Sequence, residues 1–215
     1  ARARQEIEDL IDLNHHTRIG LIAFATVAHV VAPLTEDAGT LRQQLPAISS
    51  DLIQLRGSRL TEALLQAQQM LAGQPADSGR HLLVISDGDF ADRTYLDAAR
   101  TLAAEGIQVH VLAIGTAEGA TVPDPSGRPL RHPREGVVIS RLDSSGLQAL
   151  AAAGQGWYGQ ADFDEADTQA LLAQLAAGQP GGIPTDERTR VWHHYFFVPL
   201  GVVMLLSLAR FRRQA

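Results

Sequence analysis

The sequence predicts an open α/β domain built on a parallel sheet and followed by one membrane-spanning helix. Three observations predict it. Two apolar runs, "HLLVIS" (81–86) and "VHVLAI" (109–114), flank a helical stretch that stops at Gly106; strand, helix and strand in so short a span argue for parallel pairing through a right-handed crossover. A chain of 215 residues that is 45% hydrophobic is long enough for one substantial core with an appendage. At the C-terminus, Trp192 to Ala209, "WHHYFFVPLGVVMLLSLA", carries no formally charged side chain, and Arg210, Arg212 and Arg213 follow it.

The elements follow in order. "ARARQEIEDLIDL" (1–13) places Ile7, Leu10 and Ile11 at helical spacing. Its start has no capping residue, which points to a segment upstream. "RIGLIAFATVAHVVAPL" (18–34) is rich in strand formers and broken near Thr26, a hairpin pattern. Residues 37–46 and 59–72 have helical periodicity, the second ended by Gly73. The strand at 81–86, the helix before Gly106 and the strand at 109–114 come next. A Pro/Gly-rich stretch, 117–135, makes a long loop or irregular hairpin leading into "GVVIS". Residues 144–153 form a helix, "GWYGQ" a short edge strand, and 165–176 a last helix of core type. The predicted organisation is a domain over 1–177, a linker over 178–190, a transmembrane helix over 191–209 and a basic tail over 210–215. The apolar helix is at the short end of what spans a bilayer; the alternative is a core helix kinked at Pro199. Trp192 and Tyr195 suit the headgroup interface, and the arginines place the C-terminus in the cytoplasm by the positive-inside rule.

Composition excludes several functions. The net charge of −6 gives no broad patch for phosphate backbones, so no nucleic-acid partner is expected. All 18 basic residues are arginine, which rules out a Walker A lysine, and the absence of cysteine rules out disulfides and thiolate metal clusters. "GQGWYG" (154–159) matches Gly-x-Gly-x-x-Gly but follows a helix and precedes a strand, the reverse of the dinucleotide order. His15/His16 and His193/His194 lack the spacing of a helical zinc pair. Ser140, Ser144 and Ser145 lack a Gly-x-Ser-x-Gly setting.

Chemistry concentrates in "VISDGDF" (84–90), where Asp87 and Asp89 follow an apolar strand. Ligands of open α/β sheets bind beyond the carboxyl ends of the strands. One reading is a tight Asp-Gly turn with Asp89 or Asp92 capping the next helix. A second is phosphoryl chemistry, since the Asp-x-Asp pair resembles the haloacid-dehalogenase phosphatases, in which the first acid is the nucleophile and the second the general acid. That family uses a lysine for the phosphate, absent here, and a threonine where this chain has Ala91.

The third reading is a metal site without catalysis. "VISDGDF" resembles the strand end of von Willebrand factor type A (VWA) domains, and "LRGSRLTEALLQA" (55–67) resembles their metal-binding threonine loop, with Ser58 at the threonine position. The order of these segments with "RIGLIAFATVAHVVAPLTED", "AAEGIQVHVLAIGT" and the insertion before "GVVISRLD" resembles the Bat aerotolerance proteins over nearly the whole chain. That resemblance implies a doubly wound, Rossmann-like VWA domain facing the periplasm, tethered to the bacterial inner membrane, that binds proteins and is not an enzyme. It implies Mg²⁺ or Mn²⁺ in a metal-ion-dependent adhesion site, with Ser58 and Asp87 as ligands and Asp89 as an accessory reaching the cation through water. It implies as partners other Bat-type VWA membrane proteins and a MoxR-type AAA ATPase. The family's Asp-x-Ser-x-Ser motif ends a strand before the first helix, where this sequence starts. The expectation is therefore an N-terminally incomplete domain that lacks a central strand and binds metal weakly or not at all.

Overall fold

A computed structural model describes residues 2–13, 17–48, 58–75, 79–121, 128–129, 131–132, 136–137 and 139–161. The predicted helix at 165–176, the linker, the transmembrane segment and His15/His16 lie outside them. Among the described residues, no helix is long and apolar enough to cross a membrane.

Helix α1 (Arg2–Leu13) opens the chain, and strands β1 (Ile19–Phe24) and β2 (Ala28–Thr35) form the predicted antiparallel hairpin. Helix α2 (Ala38–Gln44) starts where Asp37 caps it, its carboxylate accepting from Gly39 N–H and Thr40 N–H; a 3₁₀ turn at Leu45–Ala47 ends it. Pro46 supports that turn, since its fixed φ suits a first helical position. Ile11, Ala32, Leu41 and Leu45 close a small core between α1, β2 and α2.

The main core lies on the parallel sheet. Strands β3 (Arg80–Ser86), β4 (Ile107–Ala113) and β9 (Gln155–Gln160) pair in the order β3-β4-β9, all parallel. Helix α4 (Tyr95–Ala104) crosses from β3 to β4, and Gly106 takes φ +77, the left-handed turn that ends it. Helix α5 (Ser144–Ala153) leads into β9, and α3 (Leu60–Leu71) covers the hairpin. Leu60, Leu64, Val84, Leu102, Val109, Val111, Leu147 and Leu150 share one buried cluster with Ala28 of β2. The helices put apolar residues on that face at spacings of three and four: Leu60, Ala63, Leu64, Ala67 and Leu71 are the buried side of α3.

Strand burial differs along the parallel sheet. β4, with neighbours on both sides, is buried almost throughout, and Val109, Val111 and Ala113 have no exposure. In β3 only Val84 is buried; the rest of the strand is half-buried. The reason is its edge position, because among the described residues β3 pairs with β4 alone. β1 is half-buried along its whole length, and among the described residues it pairs with β2 alone.

Between 117 and 140 the described residues make short pairings. β5 (Ala120–Thr121) pairs antiparallel with β8 (Ile139–Ser140), and β6 (Arg131–His132) with β7 (Gly136–Val137). The segment "GVVIS" is thus divided between two partners. The glycines of "GQGWYG" have a packing role: a Cβ on Gly156 would stand 2.1 Å from the Val109 carbonyl oxygen, so only glycine lets β9 approach β4 there.

Candidate functional site

The loops beyond the carboxyl ends of β3 and β4 converge around Asp87. The peptide after β3 turns sharply because Gly88 adopts φ +87, and its N–H donates to Ser86 Oγ at 3.1 Å. Ala91 N–H donates to the Ser58 carbonyl at 3.1 Å, and Arg59 N–H to the Ala25 carbonyl at 2.7 Å. These two bonds lace the segment before α3 to the Asp87 loop on one side and to the β1–β2 turn on the other. Ser58 and Asp87, 29 positions apart, are therefore brought to the same end of the sheet.

The Asp87 carboxylate is half-buried and held at both oxygens. Oδ1 accepts from Asp89 N–H at 3.3 Å, and Oδ2 accepts from the Ser140 hydroxyl at 2.5 Å. The Asp87 carbonyl accepts from Asp143 N–H at 2.9 Å. Asp89 is exposed and contributes its backbone N–H; it does not cap α4. Asp92 takes the local role instead, its Oδ1 accepting from Thr94 N–H at 2.8 Å and from the Thr94 hydroxyl, which holds its carboxyl below the usual range. Asp143 caps α5: it accepts from Gly146 N–H and from the Ser145 hydroxyl, and those bonds, with the Gly146 amide first, lower its pKa.

Beside Asp87 is an open depression of about 370 Å³, with Phe90 and Tyr95 in edge contact on one wall and Arg93, Ile139 and Arg141 around it. Burial raises the Tyr95 pKa, so its hydroxyl stays protonated at neutral pH. Gly88 is the hinge of the arrangement. A Cβ there would lie 3.0 Å from the Asp143 carbonyl and would carry a left-handed backbone as well. Gly88→Ala is expected to cost more than about 1 kcal/mol in chemical denaturation.

The donor chemistry suits a hard divalent cation. A carboxylate and nearby hydroxyls are the oxygen ligands Mg²⁺ and Mn²⁺ prefer. Among the described residues, however, no three His, Asp or Glu side chains converge. Sequence reasoning picked out Asp87 and Ser58 but considered Ser140 only as a nucleophile. No local pattern marks Ser140, because its contact with Asp87 spans 53 positions.

A parallel sheet flanked by helices, with an aspartate at the tip of β3 and a serine loop laced beside it, defines a domain of von Willebrand factor type A. The sequence model described as the von Willebrand factor type A domain matches residues 1–89, which contain both side chains. BatB of Bacteroides thetaiotaomicron, a conserved hypothetical protein, is 32% identical; the match covers 82% of this chain and 87% of that one, with a TM-score of 0.74. An aerotolerance-related membrane protein of Bacteroides fragilis, solved with multiple mutations to serines, is 30% identical over 81% of this chain and 86% of that one, with a TM-score of 0.76. The chain belongs to the BatB-like family of VWA domain proteins. The fold extends to proximal thread matrix protein 1 of the mussel byssus, solved with a zinc-occupied MIDAS motif, at 12% identity over 80% of this chain and 39% of that one, with a TM-score of 0.54. No curated protein sequence matches significantly.

Proposed function

We propose that this chain is a protein-interaction domain that engages an acidic group of its partner through a divalent cation, and that Asp87 and Ser58 hold part of that cation's shell. The observation that carries the reading is the lacing of the Ser58 segment to the Asp87 loop by the Ala91 N–H, which places a carboxylate and a hydroxyl-bearing loop together at the carboxyl end of the sheet. The cation would supply a positive centre for the partner's carboxylate. The chain's own residues supply orientation: Asp87 is aimed by two hydrogen bonds, and the Gly88 turn and the Asp143 amide fix its backbone. Asp89, exposed beside it, is an accessory and not a ligand. The role is binding and not catalysis.

The family setting supports the rest of the proposal. One relative is described as an aerotolerance-related membrane protein, which favours anchoring of this chain by the 191–209 segment, with Trp192 and Tyr195 at the interface and Arg210, Arg212 and Arg213 in the cytoplasm. The VWA domain would then face the periplasm in a Bat-type envelope complex, in the company of sibling VWA proteins and a MoxR-type AAA ATPase.

The reading is tested by titrating the chain with Mn²⁺, followed by water-proton relaxation. Asp87→Asn is expected to weaken binding about tenfold or more at unchanged thermal midpoint. Equal binding by wild type and variant sinks the cation role of Asp87. Release of phosphate from p-nitrophenyl phosphate, lost in the same variant, would place the chain with the phosphatases instead.

A further inference from the structure

We infer that Ser140 is a positioning residue of the candidate site, and that through it the β5–β8 ladder is coupled to whatever engages Asp87. The inference deepens the cation reading, and it also stands on geometry that needs no cation.

A carboxylate at the tip of a strand rotates unless something holds it. The Asp89 amide offers Asp87 a bond of 3.3 Å from within its own loop, long for N–H···O. The Ser140 hydroxyl offers one of 2.5 Å, at the short end for O–H···O⁻, from a different part of the chain. Ser140 is therefore the restraint that comes from outside the loop. Its own position is set from both sides: it pairs with Ala120 in the β5–β8 ladder, Leu142 N–H donates to the Thr116 carbonyl at 3.2 Å, and Asp143 N–H donates to the Asp87 carbonyl at 2.9 Å. Residues 140 to 143 thus clip the side chain and the backbone of Asp87 together.

The chemistry leaves the site open. An ionised carboxylate has about four lone-pair sites, and two are used here. Asp87 can accept from Ser140 and still present oxygen outward. The serine's proton points into the carboxylate, so its role is to donate a hydrogen bond and not to attack a substrate. Among the described residues β8 has two positions and pairs with two, so the hydroxyl adds a side-chain bond to a short ladder. Any partner or cation that draws Asp87 away from Ser140 would loosen the β5–β8 ladder, and a change in that ladder would turn the carboxylate.

The test uses the full chain with Ser140→Ala, Ser140→Thr, Asp87→Ala and the Ser140→Ala/Asp87→Ala double variant. In EDTA, each alanine variant is expected to lower the thermal midpoint by about 3–6 °C, and the double variant by no more than the larger single loss. Ser140→Thr, which keeps the hydroxyl, is expected to stay near wild type. Strictly additive losses would overturn the coupling. In Mn²⁺ titrations, Ser140→Ala is expected to weaken binding about tenfold and Ser140→Thr to restore it. A Ser140→Ala variant that binds Mn²⁺ as wild type does would also overturn it. If wild type takes up no Mn²⁺, the cation reading fails by itself, and the thermal cycle in EDTA decides for or against Ser140.

Discussion

The domain is expected to lose up to about 3 kcal/mol of unfolding free energy between pH 6.5 and pH 4, because of one buried pair of imidazoles. His110 on β4 is 3% exposed, and its Nε2 lies 3.1 Å from Nδ1 of His81 on β3. The β4–β9 ladder shifts register between Val109 and Val111, and there Trp157 N–H donates to His110 Nδ1 at 3.0 Å instead of to a backbone carbonyl. That donor assigns the protons along the chain of bonds. His110 Nδ1 is bare, its Nε2–H donates to His81 Nδ1, and His81 must carry its own proton on Nε2, which has no partner among the described residues. A further proton on His110 would break the Trp157 bond. One on His81 would set two N–H groups against each other.

Burial, with the neighbouring His81 as a lesser cause, lowers the His110 pKa to about 4, and burial lowers that of His81. Between the folded value of about 4 and the ordinary 6.5 of the model imidazole, the unfolded chain binds more protons than the folded one. Stability therefore rises with pH through this window and is fully present above it; it declines on acidification. Urea denaturation at stepped pH measures the slope. His110→Gln, which removes this titration, should flatten the profile, and an unchanged slope in that variant would assign the acid sensitivity to other groups.

Leu147→Ala is expected to cost about 2–5 kcal/mol. Leu147 is fully buried in the main core on the first turns of α5. Its Cγ lies 3.1 Å from where a Cβ of Gly88 would be, and its N–H bonds to the Asp143 carbonyl at 3.2 Å. The same side chain thus fills the core and supports the turn that presents Asp87. Truncation should lower the urea midpoint at constant m and speed amide exchange at 87–91 more than at β4. Leu147→Met, which keeps the volume, should cost less than about 1.5 kcal/mol; a Met variant as unstable as the Ala variant would show that shape, and not the lost volume, decides the effect.

Most of the fold was legible because its signals are local. Periodicity located α1, α3, α4 and α5 to within a few residues, Gly106 marked a left-handed stop, and a break near Thr26 marked the hairpin. Where local signals end, pairing decides. "HLLVIS" has the residues of a buried strand, but its exposure depends on how many strands flank it, and among the described residues it has one. Asp89 and Asp92 were equal candidates as caps; the turn at Gly88 left the first exposed and gave the second to Thr94.

The sequence by itself determined the class of fold and singled out two anchor candidates, Asp87 and Ser58. Alternation, helical spacing and turn residues act over a few positions, and both anchors lie in segments whose residue order resembles a known pattern. The tertiary structure alone decided what surrounds them. Ser140 reaches Asp87 across 53 positions, and Trp157 reaches His110 across 47, through strand register and a ladder shift. Such contacts depend on which backbones end up side by side, and that is settled by packing of the whole core and not by any local run of residues.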